Sequence, residues 1–152
     1  LRPRRQRQMC IRDSTMTFND IAIRINAYEQ TIKTLGNEKV KGQPLIRELA
    51  IGRTKQEAFE VARKPLLAKY ESYATWGQTD TKKERTLSDT FEEFCRDRFI
   101  IGDEQEVVDE ILKYKESFGV DNLLVRVQWP GLGQGEVLKT LDHLGKIIAT
   151  VS

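Results

Sequence analysis

Apolar residues at Phe18, Ile21, Ile25, Tyr28, Ile32 and Leu35 recur by threes and fours, the spacing of one helix face, and the stripe stops at Gly36. It predicts an amphipathic helix. After the polar stretch from Asn37 to Gln43, the run Leu45-Ile-Arg-Glu-Leu-Ala-Ile51 is short, follows Pro44 and closes on Gly52, so it reads as a strand. Thr54 and Glu57 then form a capping-box pattern, in which the hydroxyl accepts an orphan amide proton and the carboxylate reaches back. The helix they open shows Ala58, Ala62, Leu66, Tyr70 and Tyr73 on one face. Pro65 lies in its middle and lacks the N–H an unbroken helix needs, which predicts a kink, or two helices with Pro65 in a first turn.

From Gly77 to Ser88 the chain is polar and aperiodic, a loop that could form part of a lid, and Phe91 and Phe94 suggest a short helix after it. The pattern then repeats. Arg98 to Ile101 reads as a strand, followed by Gly102, a second capping box at Asp103 and Glu106, and a stripe of Val107, Val108, Ile111, Leu112 and Phe118 ended by Gly119. Asn122 to Trp129 reads as a third strand, Gly131 to Gly135 as a turn, and Val137, Leu141, Leu144, Ile148 and Val151 as the stripe of a last helix.

Three strand-loop-helix units in succession argue for parallel strands joined by crossovers, either in an open doubly wound sheet or in a barrel. In the third strand Leu123, Val125 and Val127 share one side, while Leu124, Arg126 and Gln128 share the other. Arg and Gln in mid-strand are costly under a helix layer and acceptable at a barrel mouth, where such folds place their chemistry. The expected fold class is therefore α/β, the C-terminal part of a (β/α)8 TIM barrel with about three βα units present, closure needing about five more strands upstream.

The chain has 152 residues, enough for one domain with a core, and no apolar run long enough to span a bilayer. Its formal charge of +2 does not indicate a nucleic-acid partner. The first fourteen residues hold Arg2, Arg4, Arg5, Arg7 and Arg12 against Asp13; removing them from 25 basic and 23 acidic residues leaves 20 against 22, a net −2 for 15–152. Cys10 and Cys95 have neither metal-ligand nor disulfide-framework spacing, so no metal site is expected and a reducing, cytoplasmic setting is. Met9-Cys10-Ile11 is too short for the apolar core of a signal peptide. Residues 4–14, "RRQRQMCIRDS", resemble a one-frame translation of the transposon-end adapter used in sequencing libraries. Residues 1–14 are accordingly read as a non-native leader and 15–152 as the C-terminal portion of one barrel domain, with the natural chain expected to continue upstream of Thr15.

"RFIIGDEQEVVDEILKYKESFGVDNLLVRVQWPGLGQGEVLKTLDHLGKIIATV" resembles the C-terminal end of the luciferase-like flavin-dependent monooxygenases, and "LIRELAIGRTKQEAFEVARKPLLAKYESYATWGQ" is similar to their preceding unit. The order and spacing of the segments carry the likeness more than any single motif. The resemblance implies that the intact parent is a barrel enzyme that binds reduced FMN, or in one branch a deazaflavin, and acts on a small-molecule substrate, with molecular oxygen in the monooxygenase branch and a homodimer as a common assembly, the fragment being inactive alone. It implies a cofactor site at the strand ends. There Arg126 would stabilise negative charge on the reduced ring, Gln128 would hydrogen-bond its edge and Trp129 would wall the pocket, with Gly102 and Arg53 at the ends of the two preceding strands completing the set. Catalytic residues are not assigned.

Other features receive plainer readings. The glycines from 131 to 135 match no phosphate-loop pattern and read as a turn, Tyr70, Tyr73 and Trp76 as packing, and Cys95 as a core thiol. His143, the one histidine, falls inside the last helix, away from the loops from which a general base would reach a substrate. Arg53 has the alternative of a solvated loop position. Arg47 and Glu48 occupy opposite faces of their strand, and which one enters the barrel is left open. A rival to the enzyme is a non-catalytic assembly module that pairs through open strand edges.

Overall fold

A computed structural model describes residues 16–39, 44–75 and 91–151 of the chain. The leader, the 77–88 loop, Cys10 and Trp76 lie outside the described residues. Among the described residues the sheet has three parallel strands, β1 (Pro44–Ile51), β2 (Ile100–Gly102) and β3 (Asn122–Arg126), in the order β2-β1-β3. The first strand is thus central. Its N-terminal half pairs with β3, Pro44 opposite Asn122 through Glu48 opposite Arg126, and its C-terminal end pairs with β2, Leu49 opposite Ile100 through Ile51 opposite Gly102. The second and third strands are shorter than their apolar runs suggest: pairing with β1 begins only at Ile100 on one side and stops at Arg126 on the other, although β1 itself runs from Pro44 to Ile51.

The described residues form five helices about the sheet: α1 (Phe18–Leu35), α2 (Lys55–Thr75), α3 (Phe91–Cys95), α4 (Glu104–Phe118) and α5 (Gln134–Val151). Local chemistry explains their ends. Asp103 accepts the Glu106 amide proton at 2.9 Å while the Glu106 carboxylate takes the Asp103 N–H at 3.2 Å, the reciprocal box expected at the start of α4. Gly119 ends the helix at φ 60°, in the left-handed region that glycine enters without strain. The box at α2 is only half formed. Thr54 Oγ1 accepts the Glu57 N–H at 3.2 Å, but the Glu57 carboxylate turns to the Arg53 N–H and guanidinium instead of to Thr54. A third box, Thr17 with Asp20, starts α1.

Pro65 does not divide α2, which runs through it as one helix; the two-helix alternative with Pro65 in a first turn does not occur. The helix is held by packing over its whole length. Ala58, Ala62, Leu66 and Tyr70 are all buried, in a cluster with Ala50, Phe91, Cys95, Phe99 and Trp129 on one face of the sheet. That tertiary burial offsets the lost hydrogen bond. The second cluster covers the opposite face, where Leu45, Leu49, Ile51 and Ile100 meet Ile21 of α1, Val107, Val108 and Tyr114 of α4, and Ile147 of α5.

Helices therefore lie on both faces of the described sheet. Arg126, at the end of β3, is paired with Glu48, and Gln128 lies past that end and is exposed.

Arg47 lies under the second cluster with no exposure. Its Nη1 donates to the Met16 carbonyl at 3.0 Å and its guanidinium sits 5.0 Å from the centre of the Tyr114 ring, but Nε and Nη2 have no hydrogen-bond partner. Burial lowers the Arg47 pKa, while the neighbouring Tyr114 phenol works in the opposite direction. An uncompensated charge of this kind works against folding. Arg47→Met, which keeps the length of the chain and removes the charge, is expected to raise unfolding free energy by about 1 kcal/mol or more in urea denaturation; a loss of stability would show that the Met16 contact outweighs the buried charge.

Candidate functional site

Glu48 is the fourth residue from the end of β1 and has no solvent exposure. Placing it opposite Arg126 in the β1–β3 register puts both side chains on the face that α2 covers. Four donors converge on its carboxylate. Lys69 Nζ at 2.5 Å, Tyr70 Oη at 3.1 Å and Arg126 Nη1 at 3.2 Å donate to Oε1, and the indole N–H of Trp129 donates to Oε2. Lys69 is itself 9 % exposed and lies 5.4 Å and 5.6 Å from the ring centres of Tyr70 and Tyr73, so its charge is stabilised by the carboxylate and by two π faces. Arg126, 40 % exposed, is the member of the cluster that meets solvent.

The local sequence explains the convergence. Successive residues of β1 alternate between faces, so Glu48 must join Ala50 beside α2 if Leu45, Leu49 and Ile51 are to join the other core. Lys69 and Tyr70 stand one turn beyond Leu66 on α2, and Trp129 comes three residues after Arg126. The result is a charged and hydrogen-bonding group set into an aromatic wall of Tyr70, Tyr73, Phe94 and Phe99, whose rings lie within 5.0 to 5.8 Å of one another in successive contacts.

Of the residues expected at a site, the structure brings Arg126 and Trp129 together on Glu48. Gln128, between them, is exposed. Arg53 is 83 % exposed at the start of α2 and pairs with Glu57 at 3.0 Å, the solvated loop arrangement. Gly102 is buried at the end of β2, where its carbonyl accepts the Gly52 N–H at 3.1 Å. A Cβ on Gly102 would lie 2.7 Å from Cβ of Glu106, so the α4 cap explains the glycine. Arg47 and Glu48 divide as their alternation requires: Glu48 enters the polar cluster and Arg47 the opposite apolar core.

Glu48, Lys69 and Tyr70 had not been assigned a site role. The available signal was an acid in an otherwise apolar strand, which demands a cation from elsewhere in the fold. Tyr70 packs as expected and donates its hydroxyl as well. His143 is away from this cluster; its Nδ1 lies 2.6 Å from Glu104 Oε1 and ties α5 to α4, and that contact holds the Glu104 carboxyl below its ordinary pKa. Among the described residues there is no group of three metal-ligating side chains and no helix long and apolar enough to cross a membrane.

No protein-family model matches the chain, and no curated protein matches it in sequence. Its fold is shared with solved structures. Monooxygenase RslO1 from Streptomyces bottropensis superposes with a TM-score of 0.69 at 13% identity, over 90% of this chain and 39% of that one. The oxygenating constituent of 3,6-diketocamphane monooxygenase from the CAM plasmid of Pseudomonas putida, a type II Baeyer-Villiger monooxygenase in complex with FMN, superposes with a TM-score of 0.61 at 16% identity, over 89% of this chain and 41% of that one. The chain spans about two fifths of the length of these structures. What it has in common with them at such identity is the fold.

Two outcomes follow from the geometry. Glu48→Ala leaves Lys69 and Arg126 without their carboxylate and is expected to cost about 3 to 5 kcal/mol in denaturant unfolding. Burial pushes the Cys95 thiol far up in pKa, so at pH 8 iodoacetamide should leave the Cys95 peptide unmodified in the folded chain and modify it in urea, as read by mass spectrometry.

Proposed function

We propose that the chain is the C-terminal portion of a luciferase-like, flavin-dependent oxidoreductase, built as a (β/α)8 barrel, that acts on a small-molecule substrate with molecular oxygen. The observation that carries this reading is the fold shared over nine tenths of the chain with monooxygenases, one of them solved with FMN. The order and spacing of the strand and helix segments support it independently.

In this reading the cofactor is reduced FMN, with deazaflavin as the alternative, and supplies the oxidation-reduction chemistry; the protein binds, orients and shields it. The residues of the Glu48 cluster fit such a group. Arg126 offers a cation that is part-exposed beside an aromatic wall, and Trp129 is held by its indole N–H so that its ring has a set orientation. Gln128 is exposed two residues beyond Arg126 and would reach a ligand there through its amide, while Arg53 and Gly102 are left with lesser roles. In this reading the residues that carry the chemistry lie upstream of Thr15, and residues 1–14 are a non-native leader.

The rival reading, a non-catalytic module that pairs through sheet edges, draws on one observation. Among the described residues the outer edges of β2 and β3 have no partner strand. A single experiment separates the two. The open reading frame is sequenced across the Thr15 codon in the source DNA, and the protein it encodes is titrated anaerobically with reduced FMN and reduced deazaflavin. A longer frame whose product perturbs the spectrum of one of them supports the oxidoreductase; a frame that starts within the leader, with a discrete dimer in sedimentation and no spectral change, replaces it with the assembly module.

A further inference from the structure

Toward the described residues Arg126 uses one of its three guanidinium nitrogens, Nη1, which donates to Glu48 Oε1 at 3.2 Å. Nε and Nη2 are open to solvent: the buried side-chain polar atoms without a hydrogen bond, among the described residues, all belong to Arg47. These two nitrogens form the side edge of the guanidinium, where two N–H bonds run parallel and match an anion that offers two adjacent acceptor atoms. An arginine on a free stem loses that match to rotation. Here the stem starts from a paired strand, and the far nitrogen is fastened to a carboxylate that cannot turn away, because Lys69 and Tyr70 hold the same oxygen and Trp129 holds the other.

We propose that Glu48 is a positioning residue, which by holding Nη1 sets the Nε–Nη2 edge of Arg126 as a fixed two-donor fork for one anion. The flavin reading bears on this only through the identity of the ligand: the deprotonated N1–O2 edge of a reduced flavin ring and the oxygens of a phosphate or carboxylate present the same pair of acceptors. Lys69 has a separate part, since its ammonium donates to the same Glu48 oxygen as Arg126 Nη1 and so fixes where that oxygen lies.

The test titrates the 152-residue chain with two probes, inorganic phosphate and anaerobically reduced lumiflavin, which carries the ring without a phosphate. The variants are Arg126→Lys, which keeps the charge and loses the fork, Glu48→Gln, which keeps the shape and loses the ionic hold, and the double variant. A positioning role predicts a loss of roughly tenfold in affinity for the preferred probe in each single variant, and no further loss in the double. Additive losses, or unchanged affinity in Glu48→Gln, overturn it, as does a wild-type chain that binds neither probe. Binding of phosphate alone keeps the fork and counts against the flavin reading. Binding of lumiflavin that ignores both substitutions keeps the flavin reading and removes the fork. A second measurement needs no variant: in nitrogen NMR of the wild-type chain the two Nη groups of Arg126 should give separate signals, because Glu48 hinders rotation, and a single averaged signal overturns the proposal even where Glu48→Gln fails to fold.

Discussion

A carboxylate placed at the middle of a sheet and shut off from water must be surrounded by donors, and in this protein that demand organises one whole side of the fold. Glu48 draws Lys69 and Tyr70 to it, which sets the rotation of α2 about its own axis, and draws Arg126 and Trp129, which sets where the chain travels after β3. The apolar contacts of α2 with Ala50, Phe91 and Phe99 are non-directional; the hydrogen bonds to Glu48 are what choose one arrangement among the several that burial alone would allow. The opposite face has no such anchor. Its one buried ion, Arg47, finds a backbone carbonyl and an aromatic ring, and the remainder is aliphatic and aromatic packing.

This asymmetry separates two tasks. The face under α4 and α5 supplies burial, with Val107, Tyr114 and Ile147 closing over β1 and β2, and the His143–Glu104 contact fastens the two helices to each other at its margin. The face under α2 gives up apolar area to polar groups, and Arg126 there keeps contact with solvent while its partners do not. A polar network placed at the solvent boundary of a sheet, fully bonded on its inner side and open on its outer side, is where ligand recognition is most economically located.

Local features of the fold were legible in the sequence and distant ones were not. Asp103 with Glu106, and Gly36 and Gly119 as helix ends, are read from residues within one turn of each other, and the structure has them. The Thr17–Asp20 box is just as local, but it lies one residue ahead of the apolar stripe that begins at Phe18 and so outside the pattern that marks the helix. Pro65 is a case where a sound local rule was outweighed by burial along all of α2. The site depended on the longest separations. Arg126 follows from one strand's alternation and Trp129 from its place at that strand's end, but Glu48 lies 78 and 81 residues away from them and Lys69 on another element, and no period in a sequence reports such a meeting. At Arg53 and Gly102 the strand-end position points to a ligand, and the structure gives each a local partner as well, Glu57 for Arg53 and the α4 cap for Gly102.

The β2-β1-β3 order also governs when the sheet can form. Glu48 must wait for a partner 78 residues further along, so on a ribosome the edge of β1 that faces β3 lacks that partner until β3 has been made, while β2 occupies only the last three residues of β1. For that interval the apolar run Leu45 to Ile51 is a template for any passing strand. Arg47 and Glu48, charges at its centre, then act as gatekeepers against aggregation.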